Sequence, residues 1–201
     1  MYQTERQVVA AETAPAGADP RGPSVLSRTS SGARPPTTAP TVAPSLQLAV
    51  LHHTAGTNSY TSADVPALLR AIQAYHMDAN GSDDIGYNFA VDRFGRVWEG
   101  RAGGIIWPVV GAHAAGFNTG STAVLGTFET AAPTSAAVDA AASVISRKLA
   151  VHDADPRTSV AYRAGEGTPR FRRALWSRTT ASSGTGMSGR PRARGGTCTP
   201  T

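Results

Sequence analysis

Histidine, tyrosine and cysteine are the side chains of this 201-residue chain best suited to chemistry, and they sit in short, recognisable settings. His52 and His53 are adjacent at the end of "LQLAVLHHTAG", His76 lies in "YHMDANG", and Tyr87 lies in "DDIGYNF". His113 and Asn118 share the loop "GAHAAGFNTGS", His152 lies in "AVHDADPRT", and the single cysteine, Cys198, stands three places from the end. Imidazole titrates nearest to neutrality and is the commonest nitrogen ligand for metals, but an isolated histidine is a ligand only by its context. The plain alternatives are a polar strand end for His52, a half-buried strand tyrosine for Tyr87 and loop or helix-cap roles for His76, His113 and Asn118. One cysteine excludes an intrachain disulfide and any thiolate-rich zinc site.

Elements of regular structure must carry these residues. The branched apolar run before His52, stopped by Gly56, predicts a buried strand over 46–53, with His52 and His53 on opposite faces. "TSADVPALLRAIQAYHM" predicts an amphipathic helix over 63–77, capped by Thr61 or Ser62, with Pro66 early enough to be tolerated. "IGYNFAVDRFGRVWEGR" reads as a hairpin turning at Arg93-Phe94-Gly95, and "TAVLGTF" as a further buried strand over 122–128. After Pro133, Thr134 can cap a helix with Val138, Ala141, Ala142, Ile145 and Leu149 on one face. The order strand, helix, hairpin, strand, helix predicts a single α/β domain with a central, mostly mixed sheet flanked by helices.

The paired histidines, "YHMDANG", "DDIGYNF", "VDRFGRVWEGR" and "GAHAAGFNTGS" follow one another in an order that resembles the peptidoglycan recognition protein family, the type 2 N-acetylmuramoyl-L-alanine amidases, in its actinobacterial form. The resemblance spans about 24–171 and begins at "SVLSRTSSGARPP", similar to that family's S-R-x-x-W-G-A-R segment. It implies a zinc amidohydrolase of the innate-immunity domain type that takes part in cell wall catabolism by cutting the amide between the lactyl group of muramic acid and L-alanine. Three protein ligands would leave zinc a position for water and lower that water's pKa. The resemblance makes His52 the first zinc ligand and Tyr87 the catalytic donor to water or to the developing oxyanion. It makes His76, His113 and Asn118 substrate-binding residues lining a groove for a muramyl peptide.

The same resemblance implies a second ligand in a G-H-R-D segment and a third in a C-P-G segment, and neither occurs here. His152 falls in a stretch that carries no ligand in the family, and Cys198 does not precede Pro-Gly. Joining the third base of each codon from Ala181 onward to the next two bases allows synonymous codons to spell Gly-His-Arg-Asp across Ser183–Met187. The same shift can give Ala-Cys-Pro-Gly across Pro191–Gly195. We therefore read the end of the chain as an out-of-frame translation shifted near Phe171; bases across codons 165–201 that cannot spell both motifs would refute this. Ser31, Ser82 and Arg147 also stand where the family carries tryptophan, each one base from TGG. The expectation is a zinc site left incomplete, with amidase activity impaired, or else a non-catalytic muramyl-peptide binding module.

Charge excludes one class of partner. The chain carries a net charge of +5, but all fourteen acids and twelve of the nineteen bases lie in residues 1–166, leaving +7 on 167–201 alone. That tail lacks interleaved aromatics and amphipathic spacing, so no nucleic acid or membrane partner is expected. Residues 1–23 read as a disordered leader without the basic and apolar regions of a signal peptide, and 172–201 as a disordered tail. The family implies an extracellular or cell-wall location and a monomer, and no window is apolar enough for a membrane-spanning helix.

Overall fold

The computed structural model describes residues 22–163 and the backbone strand Trp176–Thr180. Almost all of the expected leader, and the expected tail apart from that strand, lie outside the described residues. Trp176–Thr180 itself, within the stretch expected to be unstructured, forms a strand.

Chain order gives β1 (Val25–Leu26), α1 (Arg28–Ser31), β2 (Val50–His53), α2 (Val65–Ala74), β3 (Phe89–Val91), β4 (Val97–Glu99), β5 (Ser121–Val124), α3 (Ser135–Val151), β6 (Ser159–Arg163) and β7 (Trp176–Thr180). The first five strands make one mixed sheet in the order β1-β4-β3-β5-β2. Only the β3–β4 hairpin is antiparallel within it; the other neighbours run parallel. β6 and β7 form a separate antiparallel ribbon.

Side-chain alternation along the strands divides the core in two. Phe89, Val91, Val97 and Val124 face α3 and pack on its Ala137, Ala141 and Val144. Ala90, Trp98 and Leu125 face the other way, onto Tyr60 and the α2 residues Val65 and Leu69. Burying a large apolar side chain of this kind contributes about 1.5–3 kcal/mol relative to exposure, which is why both helices are held to the sheet.

Three expectations need correction in detail. The buried face of α3 is Ala137, Ala141, Val144, Lys148 and Leu149, while Val138 is 49% exposed. A polar residue sets this rotation: Lys148 Nζ donates to the carbonyls of Gly104 and Trp107, both at 2.8 Å, and draws its side of the helix inward. β2 begins at Val50, because Leu46 and Leu48 are buried as irregular chain rather than as a ladder. β5 ends at Val124, shortly before Gly126, whose φ of +133° turns the chain away.

The remaining expectations hold more closely. Thr134 caps α3, its Oγ1 accepting from Ala137 N–H at 3.2 Å. The hairpin turns at Arg93-Phe94-Gly95, where Gly95 adopts φ of +81°. The cap of α2 moves from the expected Thr61 or Ser62 to Asp64, because the Thr61 backbone and hydroxyl donate to the Asp64 carboxylate instead of capping the helix. α2 continues into a π-helical turn over Tyr75–Ala79, a widened form frequent at functional sites. Among the described residues β2 is an edge strand: the N–H groups of Val50 and Thr54 point to β5. The alternate backbone groups of Leu51 and His53 therefore face the open side, and the Leu51 side chain is 55% exposed. Among the described residues no helix is long and apolar enough to cross a membrane.

Candidate functional site

Strand register decides where the two histidines point. His52 stands beside Ala123, which stands beside Ala90, and Ala90 packs toward α2, so His52 projects on the α2 face. His53 projects on the other face, where its Nδ1 accepts from Phe128 N–H at 3.0 Å.

Two turns close around His52. The π-helical turn presents His76, whose Nδ1 accepts from Gly86 N–H at 2.8 Å, so neutral His76 carries its proton on Nε2. The Gly86 turn presents Tyr87, and the loop after Gly111 presents His113, whose Nδ1 lies 2.9 Å from His52 Nε2. Ring centroids are 4.9 Å apart for His52–His113, 5.4 Å for His76–Tyr87, 5.6 Å for His52–Tyr87 and 6.4 Å for Tyr87–His113. Four rings from four segments thus form one contiguous cluster.

Glycine permits this convergence. A Cβ on Gly86 would lie 2.4 Å from Ala112 O, and one on Gly111 would lie 2.5 Å from Gly86 O. The two backbones touch, joined by Ala112 N–H donating to Gly86 O at 2.9 Å. Asn118 sits behind His113, and its Oδ1 accepts from the N–H groups of His113 and Ala114 at 2.9 and 2.8 Å. In this arrangement its carbonyl oxygen shapes the loop.

Burial makes the cluster electrically neutral. It lowers the pKa of His52, with His53 adding to the effect, and that of His76, with Arg101 adding to it. It pushes His113 down to about 3, with His52 reinforcing the shift, and it raises the Tyr87 phenol. At neutral pH each ring therefore offers hydrogen-bonding atoms without charge. His113 Nε2 is buried and has no hydrogen-bond partner among the described residues.

The expected zinc can be tested against this donor set. Among the described residues no three His, Cys, Asp or Glu side chains converge, whereas a catalytic zinc needs three protein ligands and an open position. His52 and His113 supply two nitrogens that face each other. The described residues alone do not fit the metal.

Several supporting residues carry no signal in the spacing analysis. Buried Asp84 accepts from Arg28 Nη2 at 3.1 Å, Gln73 Nε2 at 2.8 Å, Ile85 N–H at 2.8 Å and Ala102 N–H at 3.0 Å. Arg101 donates to Ile85 O at 3.1 Å and to Val110 O at 2.8 Å, tying the Tyr87 turn to the His113 loop. The acidic doublet directly before "IGYN" was the available clue to Asp84; Arg101 gave none.

A mixed-sheet α/β domain whose sheet face carries a neutral cluster of imidazoles and a phenol is the class these features define. The family profile described as N-acetylmuramoyl-L-alanine amidase matches residues 42–180, and the chain belongs to this family of type 2 amidases and peptidoglycan recognition proteins. It is 42% identical over 127 residues to peptidoglycan-recognition protein SC2 of Drosophila melanogaster, covering 62% of this chain and 67% of that protein. The Drosophila PGRP-LB structure aligns with a TM-score of 0.59 and 28% identity, over 67% of this chain and 78% of that one. Human PGRP-IβC, solved with glycosamyl muramyl pentapeptide, aligns with a TM-score of 0.58 and 30% identity, over 66% and 79% of the two chains.

Proposed function

We propose that the cleft formed by His52, His76, Tyr87 and His113 binds muramyl peptides of peptidoglycan. The observation that carries this reading is the convergence of these four rings, from β2, the π-helical turn, the Gly86 turn and the 111–118 loop, in one neutral cluster on one sheet face. A stem peptide presents alternating amide donors and acceptors; with its Nδ1 taken by Gly86 N–H, neutral His76 offers an Nε2–H donor, and the Tyr87 hydroxyl can donate or accept. The ring faces suit the apolar faces of peptide planes and sugars. The relatives named as recognition proteins, and the human structure holding a muramyl pentapeptide, support the same ligand class.

The second reading is hydrolysis of the lactyl-L-alanine amide, favoured by the family match and by Tyr87 beside His52. Zinc, when bound in this family, supplies the Lewis acid and the activated water. In this chain only His52 occupies the expected ligand position, so the amidase reaction is impaired. Tyr87 would then direct its O–H toward the scissile carbonyl. We place the protein's action outside the cytoplasm, at the cell wall, as a monomer.

Calorimetric titration of the full chain with a muramyl pentapeptide, with and without chelator, tests the first reading. Binding should saturate and be indifferent to chelator; a folded chain that binds nothing would overturn it. Release of L-alanine amino groups from purified cell wall with added zinc separates the second reading. Zinc-dependent release at the rate of an intact amidase would show that the site is complete.

A further inference from the structure

The β6–β7 ribbon stands apart from the central sheet, yet one of its side chains reaches the cleft loop. Tyr162 of β6 stacks on Phe117, with ring centroids 5.4 Å apart and planes inclined by 27°. Its hydroxyl lies 3.5 Å from Thr119 Oγ1. Phe117 closes the short 3-10 turn Ala115–Phe117, which lies between His113 and Asn118.

That loop is folded tightly on itself. Gly111 N–H donates to Asn118 O at 2.6 Å, Val110 and Thr119 form an isolated bridge, and Asn118 Oδ1 accepts from His113 and Ala114. Within it Ala115 adopts φ of +49°, a left-handed conformation that a residue with a Cβ keeps only when its surroundings impose it. Internal bonds fix the two ends of the loop and close the 3-10 turn between them, Phe117 N–H donating to Ala114 O at 3.1 Å, and the Phe117 ring receives the Tyr162 ring from outside the loop.

We propose that Tyr162 is a positioning residue: its stack on Phe117 holds the 111–119 loop in the form that sets His113 against His52. Among the described residues, the β6–β7 ribbon thereby acts on the loop through the Tyr162 ring on Phe117, with the Tyr162 hydroxyl beside Thr119. The ligand half of this inference rests on the muramyl-peptide reading; the loop half does not.

Tyr162→Ala and Tyr162→Phe in the full chain test it, read by the imidazole nitrogen and carbon-bound proton resonances of all five histidines. His53, bonded to Phe128 N–H, and His152, bonded to Ile106 O, lie outside the loop and serve as internal references. Tyr162→Ala should move the His113 and His52 signals while leaving His53 and His152 in place. It should weaken muramyl pentapeptide binding roughly two- to tenfold, the scale of one aromatic pair. Tyr162→Phe keeps the stack and should resemble the parent protein in both readouts.

Unchanged His113 and His52 signals in Tyr162→Ala would overturn the proposal. So would displacement of all five histidines together, because Tyr162 would then support the fold as a whole rather than the cleft. If the parent chain binds no pentapeptide but His113 still moves selectively, the positioning role stands and the ligand reading fails.

Discussion

Tyr87 is the residue at which binding and hydrolysis part company. Its ring touches both His52 and His76, so Tyr87→Phe keeps the packing and removes only the hydroxyl. If the cleft only binds, the variant should lose about tenfold in affinity or less, the worth of one hydrogen bond, as read by calorimetry. If the chain also hydrolyses, release of L-alanine amino groups should fall by about 100- to 1000-fold, the loss typical of one oxyanion donor. The four ring residues were legible in the sequence because each is embedded in a short stretch resembling a known family. Their mutual geometry was not, since His52 and His113 are 61 residues apart and their 2.9 Å contact depends on a loop backbone that no local pattern encodes. The role of Asp84, which the acidic doublet only hints at, was hidden for a related reason: its donors come from Arg28, Gln73, Ile85 and Ala102, and only the folded chain brings them together.

At the scale of elements, Asp84 is the fastening between the N-terminal segment and the turns that carry the site. Arg28 reaches from α1 to Asp84 at 2.9 Å and also donates to the carbonyl of Gly100. Asp84→Ala takes the carboxylate partner from the part-buried Arg28 guanidinium and an acceptor from the buried Gln73 amide and two backbone N–H groups. It should cost about 3–5 kcal/mol, the usual consequence of breaking a buried ion pair, seen as a lower urea midpoint. The β3–β4 hairpin shows why some elements were readable. Gly95 satisfies the turn locally, and the Asp92 carboxylate accepts from Phe94 N–H, Arg96 N–H and Trp98 Nε1, all within six residues. α3 shows the opposite: its helical period was plain, but its rotation depended on carbonyls in the 104–107 turn that attract Lys148. Counting only apolar positions therefore chose a face displaced from the buried one.

At the scale of the whole molecule, Lys148 couples folding to pH. Burial pushes its ammonium down to about 7 from an ordinary value of 10.5, with Arg147 adding to the shift. Between those values the unfolded chain holds more protons than the folded one, so this residue makes stability rise with pH across that window. Below about pH 7 both states are protonated, and the penalty of burying the charge is constant. The slope from one group cannot exceed about 1.4 kcal/mol per pH unit, and the surrounding carbonyls favour the charged form and reduce it. Urea midpoints of the parent protein should climb relative to Lys148→Met from pH 7 to 9; parallel curves would show that Lys148 keeps its proton throughout. The fold class was legible globally because strand and helix signals alternate along the chain. The separate β6–β7 ribbon was not, since "SVAYR" and "WSRTT" pair across an intervening segment rather than a short turn.

The contact between Gly86 and Gly111 has a consequence on the timescale of solvent exchange. Ala112 belongs to no strand or helix, yet its N–H is held by Gly86 O where two glycine turns meet without side chains between them. Amide protons are released only when their surroundings open, and the slowest report on the most cooperative part of a protein. The Ala112 amide should therefore exchange with deuterium as slowly as amides of β3 and β5, while exposed amides nearby exchange quickly. A fast Ala112 amide would mean that the two turns separate independently of the sheet.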